Sequence, residues 1–340
     1  MRATIRSIAE IAKVSRGTVD RVLHNRPGVS QKVREEVKKI ADEMGYKVNW
    51  AGRSLAYQKN PVKIGVIILD KNDSSFDEIY KGIKQAYHEL KDSGITVECC
   101  VMKSVTIDEQ LRCIKELENK NIRGLALSPL DEEIIRLELN KISKKNIKII
   151  TFNTDILDIE KLCYVGQDLI KSGRVAGQLM GKLLPKNGNV AIITGLSKLK
   201  ALDERQIGFE EIIKHDYPGI KVVDVVKIFN YKESPYLKTI ELFRKHSDLN
   251  GIFITGRGID GVAKAIHEQN KKDIKFVCFD LNPDTIKFIN DNTIDFTITQ
   301  EPLMQGYLPI KIFFNYFFRN KLPSKKYLYT KLEIKTKENI

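Results

Sequence analysis

Residues 4–25 read TIRSIAEIAKVSRGTVDRVLHN, and this stretch decides how the amino end folds. Within Ser7 to Val14, Ile8, Ala9, Ile11 and Ala12 recur at helical spacing, and the Thr4 hydroxyl stands where it can cap the helix start. Ser15 precedes a second run, Arg16 to Leu23, whose Val19, Val22 and Leu23 share one face while Arg16, Gly17, Asp20 and Arg21 share another. Two short helices with almost no spacer predict a helix-turn-helix. After Pro27 and Gly28, Ser30 opens a third helix running to Met44, with Val33, Val37, Ile40 and Ala41 inward and Gly45 as the stop.

Charge points the same way. Residues 1–60 carry 13 Lys and Arg against 6 Asp and Glu, whereas the other 280 residues carry 44 against 38. Positive density at the amino end suits a polyanion, because neutralising phosphates supplies the sequence-independent part of nucleic-acid affinity.

The rest of the chain excludes several classes. Arg2, Arg6, Glu10, Lys13 and Arg16 interrupt the first thirty residues, so no secretion signal is expected and the chain is expected in the cytoplasm. The apolar stretch Ile310 to Phe318 is far shorter than the ~20 residues of a spanning helix, so no membrane partner is expected. Cys99, Cys100, Cys113, Cys163 and Cys278 show no C-x-x-C pair, and reduced packing thiols are expected rather than disulfides or a metal site. His24, His88, His215, His246 and His267 are dispersed, and no G-x-S-x-G or P-loop occurs, so neither an enzyme nor a cofactor is expected.

From Val62 onward apolar runs alternate with amphipathic helices. Strands are expected at Val62 to Leu69, Ile95 to Val101, Gly124 to Ser128, Lys148 to Phe152, Asn189 to Thr194, Val222 to Ile228, Gly251 to Thr255, Ile274 to Phe279 and Phe296 to Thr299. Continuous rather than alternating runs imply parallel sheets covered on both faces by helices such as Glu78 to Lys91 and Ser172 to Leu184. The pattern runs through two similar halves joined near Gly166 and again near Gln300, and a ligand belongs outside the strands' carboxyl ends, between the halves.

With VS at 29–30, EMGYKVN at 43–49 and RSLA at 53–56, the amino-terminal stretch resembles the lactose-repressor family, and the resemblance continues to residue 340. It implies an all-α helix-turn-helix headpiece at 1–47, a hinge helix or linker at 48–61, and an α/β two-lobed, type I periplasmic-binding-protein-like core with parallel sheets at 62–340. Lobe 1 would hold about 62–166 and 300–318, and lobe 2 about 167–299 and 319–340. Arg16 to Leu23 becomes the recognition helix. The DNA-binding set is Thr4, Ser15, Arg16, Gly17, Thr18, Asp20, Arg21, Asn25, Asn49, Arg53 and Leu55, the last as a minor-groove wedge. Asp20 departs from the small hydroxyl usual in the family, and Val48 from proline. Members bind as homodimers, so the operator is expected to be an inverted repeat.

The core resembles the ribose-type branch, which implies a sugar or sugar-like effector and candidate ligands at Asp73, Phe76, Asn153, Asp155, Arg205, Tyr231, Arg257, Asp280 and Gln300. An arginine, a carboxylate and an amide together match the donors and acceptors of adjacent hydroxyls. Near Thr255 to Gly258 the family's Asn-Asp pair is missing and Arg257 is present, which admits a phosphorylated or acidic sugar. The reading is a transcriptional regulator, expected to repress; a solute-binding protein and an α/β enzyme acting on a sugar are the rivals.

Overall fold

The computed structural model describes residues 4–23, 27–46, 61–69, 74–184, 186–195, 198–228 and 234–340. The headpiece consists of α1 (Ile5–Ile11), α2 (Arg16–Leu23) and α3 (Gln31–Glu43). Ile8, Val19, Val22 and Val37 are fully buried at their junction with Ala9, Ala12 and Ala41. The turn between α1 and α2 places Lys13 in the left-handed region, with φ 50°.

The body holds two six-stranded sheets. The first contains β1 (Val62–Ile68), β2 (Ile95–Val101), β3 (Gly124–Leu127), β4 (Lys148–Phe152), β5 (Cys163–Gly166) and β11 (Tyr327–Tyr329), in the order β11-β5-β4-β3-β1-β2. The second contains β6 (Gly188–Gly195), β7 (Ile220–Ile228), β8 (Leu249–Ile254), β9 (Lys275–Phe279), β10 (Phe296–Thr299) and β12 (Glu333–Lys335), in the order β12-β10-β9-β8-β6-β7. Their helices are α4 (Ser74–Leu90), α5 (Ile107–Asn119), α6 (Glu133–Lys144), α7 (Leu169–Leu183), α8 (Lys200–Asp216), α9 (Ser234–Lys245), α10 (Ile259–Glu268), α11 (Pro283–Asn290) and α12 (Pro302–Arg319). Among the described residues every strand pair is parallel except β10 with β12. The continuous apolar runs of β1 and β3 are buried on both faces, as their lack of alternation required, whereas the edge strands β2 and β7 are only partly covered.

The lobe boundary differs from expectation at the carboxyl end. Residues 319–340 do not all join the second lobe: Tyr327 to Tyr329 pair with Tyr164 to Gly166 of the first sheet, and only β12 completes the second. Three strand residues among lysines carry too little apolar pattern to announce that pairing. Cysteine use differs as well. Cys100 on β2 and Cys113 on α5 form a disulfide, their Cα atoms 5.7 Å apart, while Cys99, Cys163 and Cys278 are free.

Within each lobe two helices cross at reciprocal glycines. A β-carbon on Gly82 would run into Leu303 O, and one on Gly306 into Ile79 O, where α4 meets α12. Gly173 meets Arg205 O and Gly208 meets Ile170 O where α7 crosses α8. Only glycine permits such backbone approach, and the second crossing fixes the turn of α8 that carries Arg205.

Candidate functional site

The headpiece presents one polar face. With Val19 and Val22 fully buried, helical periodicity leaves Arg16, Gly17 and Arg21 exposed and Thr18 and Asp20 half-buried. Ser15 Oγ accepts from the Thr18 backbone N–H at 3.0 Å and so caps the start of α2. Thr4 Oγ1 accepts from the Ser7 N–H at 3.1 Å, and Ser7 Oγ accepts from the Thr4 N–H at 2.9 Å, a reciprocal cap. Thr4→Ala is expected to cost the headpiece about 1 kcal/mol in thermal unfolding; an unchanged headpiece transition would remove the capping role. Asn25, Asn49, Arg53, Leu55 and the hinge at 48–60 lie outside the described residues, as do Asp73 and Tyr231.

Between the body's lobes, residues just past the carboxyl ends of β3 and β4 meet residues just past β6. The Asp131 N–H donates to Lys198 O at 2.7 Å, the Ala201 N–H donates to Thr154 Oγ1 at 3.1 Å, and Lys198 pairs with Glu132 at 2.5 Å. Asn153 and Asp280 hold equivalent places, each directly after a strand (β4 and β9) with φ of 65° and 66°. Each backbone N–H donates to the neighbouring strand, Asn153 to Val165 O and Asp280 to Ile298 O. Two halves thus present one amide and one carboxylate at matching positions, turned out of the strand by the left-handed residue.

Arg205 is 4% exposed. Its Nη1 donates to Thr255 O at 2.9 Å, and its Nη2 donates to Gln167 Oε1 and Gln300 Oε1, both at 3.1 Å. The guanidinium carbon sits 3.8 Å from the centre of the Phe279 ring. Burial pulls the Arg205 pKa down, and the charge of Asp280 opposes that shift. Arg205 Nε is buried and has no partner among the described residues. A desolvated guanidinium with one unsatisfied donor is a costly arrangement that a ligand oxygen would complete.

Other candidates are placed differently. Gln300 Nε2 donates to Asp280 Oδ1 at 2.6 Å, which brings it into the cluster. Asp155 is buried, its Oδ1 accepting from Thr151 Oγ1 and Lys161 Nζ, and so it holds the loop after β4. Phe76 is packed into the first lobe's core with Ile79 and Ile83. Arg257 is half-buried in the turn after β8. Sequence reasoning missed Ser128, whose buried Oγ at the carboxyl end of β3 has no partner among the described residues, and Gln167 and Gln305, which hold the cluster together. Applying the carboxyl-end rule to β3 would have found Ser128. Among the described residues no group of three or more His, Cys, Asp or Glu is placed to hold a metal, and no helix is long and apolar enough to cross a membrane.

Comparisons with known proteins agree with this division. Residues 64–319 match the periplasmic binding protein domain, and residues 4–49 match the bacterial regulatory proteins of the lacI family. The ribose operon repressor of Halalkalibacterium halodurans is 27% identical over 286 residues, 82% of this chain and 80% of that protein. The xylose/arabinose-binding protein XylF of Sulfolobus acidocaldarius is 29% identical over 168 residues, 47% of this chain but only 41% of that protein. Among solved structures, GanP, a glucose-galactose binding protein from Geobacillus stearothermophilus, superposes with a TM-score of 0.76 at 26% identity, covering 83% of this chain and 99% of that one. The chain therefore belongs to the periplasmic binding protein domain family through its body and to the lacI family of bacterial regulatory proteins through its headpiece, and it is a DNA-binding transcriptional regulator.

Proposed function

We propose that the chain acts as a homodimeric, non-enzymatic repressor whose operator affinity is set by a sugar or sugar-like effector bound between its lobes. The carrying observation is the buried Nε of Arg205, which has no partner among the described residues, on a guanidinium bonded to Gln167 and Gln300, with Gln300 in turn bonded to Asp280. Sugar hydroxyls or a carboxylate supply the acceptor that Nε lacks, and Ser128 Oγ and the Asp280 carboxylate supply polar partners of the other kind. The relatives' names support a carbohydrate, since they concern ribose, xylose and arabinose, and glucose and galactose. Effector binding selects one arrangement of the lobes, and operator affinity follows by linkage. On the DNA side Arg16 offers two donors to guanine O6 and N7, while Gly17 and Arg21 approach the backbone and neighbouring bases.

Removing residues 1–60 is expected to abolish binding to DNA fragments selected by the full-length protein while sugar binding, read by titration calorimetry, persists. Survival of selective DNA binding after that removal would defeat the proposal. Retention of sugar binding by the truncated body fits the rival solute-binding reading equally, so the DNA arm discriminates. Comparing galacturonate with neutral sugars, in the chain and in Arg257→Ala, tests the acidic ligand. An acidic preference untouched by Arg257→Ala removes that arginine from the site.

A further inference from the structure

The chain passes between the lobes three times, at residues 167–168, 300–301 and 330–332, and the passes are hydrogen-bonded to one another. Gln167 Nε2 donates to Thr299 O at 3.2 Å, the Thr330 hydroxyl donates to Gln300 O at 2.9 Å, and the Thr330 N–H donates to Gly166 O at 2.8 Å. The three passes close a ring. Gln167 and Gln300 are almost wholly buried in it, so these bonds are not exchanged with water.

Arg205 and Asp280 are each one hydrogen bond from this ring, and Asn153 is two. Arg205 Nη2 donates to both Gln167 and Gln300. Asp280 accepts from Gln300 Nε2. Asn153 Nδ2 donates to Gln305 Oε1 at 3.1 Å, and Gln305 Nε2 donates to Gln300 O at 2.8 Å. Gln167 differs from Gln300 in that its amide oxygen faces Arg205 and its amide nitrogen faces another crossing.

We infer that Gln167 is the positioning residue that makes effector occupancy and lobe angle a single equilibrium, acting through Arg205. The guanidinium is a rigid plane, so an effector oxygen on Nε fixes where both Nη groups must point. Nη2 can then meet Gln167 and Gln300 together only at the lobe angle that brings the first and second crossings to the right separation. Lobe angles that part the two crossings break one of these bonds and leave a buried acceptor empty. The inference rests on the effector reading for its ligand arm only.

The test uses the full chain with nitroxides on Leu137→Cys in the first lobe and Leu237→Cys in the second, both exposed positions, in a Cys99→Ser background. Gln167→Met keeps the side chain's length but removes both bonds, and the interlobe distance distribution measured by pulsed electron resonance is expected to broaden and shift by several ångströms. Gln167→Glu keeps an acceptor for Arg205 but loses the donor to Thr299 O, and is expected to return the distribution partway toward that of the parent. D-ribose, D-galactose and D-galacturonate serve as titration probes. For any that the parent binds, Gln167→Met is expected to weaken affinity about tenfold, as loss of one buried hydrogen bond to a charged group implies, and Gln167→Glu to stay within about threefold. A parental distance distribution in Gln167→Met overturns the inference, and so does equal damage in the Met and Glu variants, which marks a purely structural side chain. If Gln167→Met fails to fold by circular dichroism, Gln167→Asn, too short to span both partners, takes its place with the same expected broadening. If no probe binds the parent, the effector reading fails for these sugars while the distance arm still decides the role of Gln167.

Discussion

Arg205→Met is expected to weaken binding of any sugar the chain recognises by about two orders of magnitude, corresponding to roughly 3 kcal/mol, while the chain stays folded. The two halves of that expectation have separate causes. Nε is the buried donor that a ligand oxygen would satisfy, and a charged donor in a desolvated cleft contributes more than a neutral one. The folded state, by contrast, holds the cation at a cost. Burial lowers the Arg205 pKa, and a cation with a lowered folded pKa destabilises the fold at every pH below that value, physiological pH included. Methionine removes this cost and also the bonds to Thr255, Gln167 and Gln300. The two changes oppose each other, so the melting temperature is expected to move by no more than about 5 °C. Calorimetric titration and thermal unfolding check both. Affinity within twofold of the parent for each sugar it binds would take Arg205 out of the effector site.

Gly173→Ala is expected to do the reverse, damaging fold and site together. In an isolated helix alanine is better than glycine by about 1 kcal/mol. Here its β-carbon would strike Arg205 O, a backbone atom that cannot turn aside. Separating α7 from α8 opens their shared core at Phe209 and Ile212 and drags Arg205 from its three acceptors. A net loss of about 3 kcal/mol in denaturant unfolding is expected, near the upper end for overpacking, accompanied by lost sugar binding. Stability within about 0.5 kcal/mol of the parent would mean that the helices part without penalty. Set beside Arg205→Met, this variant separates the arginine's chemistry from the packing that aims it.

What was legible in the sequence follows from the kind of signal each feature leaves. Val19 and Val22 in α2, and Val33, Val37 and Ala41 in α3, repeat at helical spacing, so the three helices could be drawn and the caps of the first two placed at Thr4 and Ser15, although α1 ends at Ile11 rather than Val14 and the Ser30 side chain makes no cap bond to α3. The long buried strands announced themselves by unbroken apolar runs. Strands β5, β11 and β12 did not, because four or three residues with aromatic and charged side chains resemble loop, and with them went the third crossing at Thr330. Arg205, Asp280, Asn153 and Gln300 were legible through resemblance. Gln167, Gln305 and Ser128 were not, since a buried hydrogen-bond network has no periodicity and depends on crossings that only the folded chain brings together. Phe76 shows the converse, since core packing claims it, and Asp155 is held locally through Oδ1 alone, its buried Oδ2 having no partner among the described residues. The Cys100 and Cys113 pairing was hidden for the same reason, a strand and a helix meeting across thirteen positions.

The headpiece core described above consists of apolar side chains drawn only from residues 5–46, while the body's cores draw on none of them. Under the proposed function, a substitution among Arg16, Gly17, Asp20 and Arg21 is therefore expected to change which promoter is addressed and leave the cleft undisturbed, and a change at Arg257 or Ser128 is expected to alter the signal and leave the address. The molecule is arranged for rewiring. Joining residues 1–61 to a related body, or this body to another headpiece, should yield chimaeras that obey one parent's promoter and the other's metabolite.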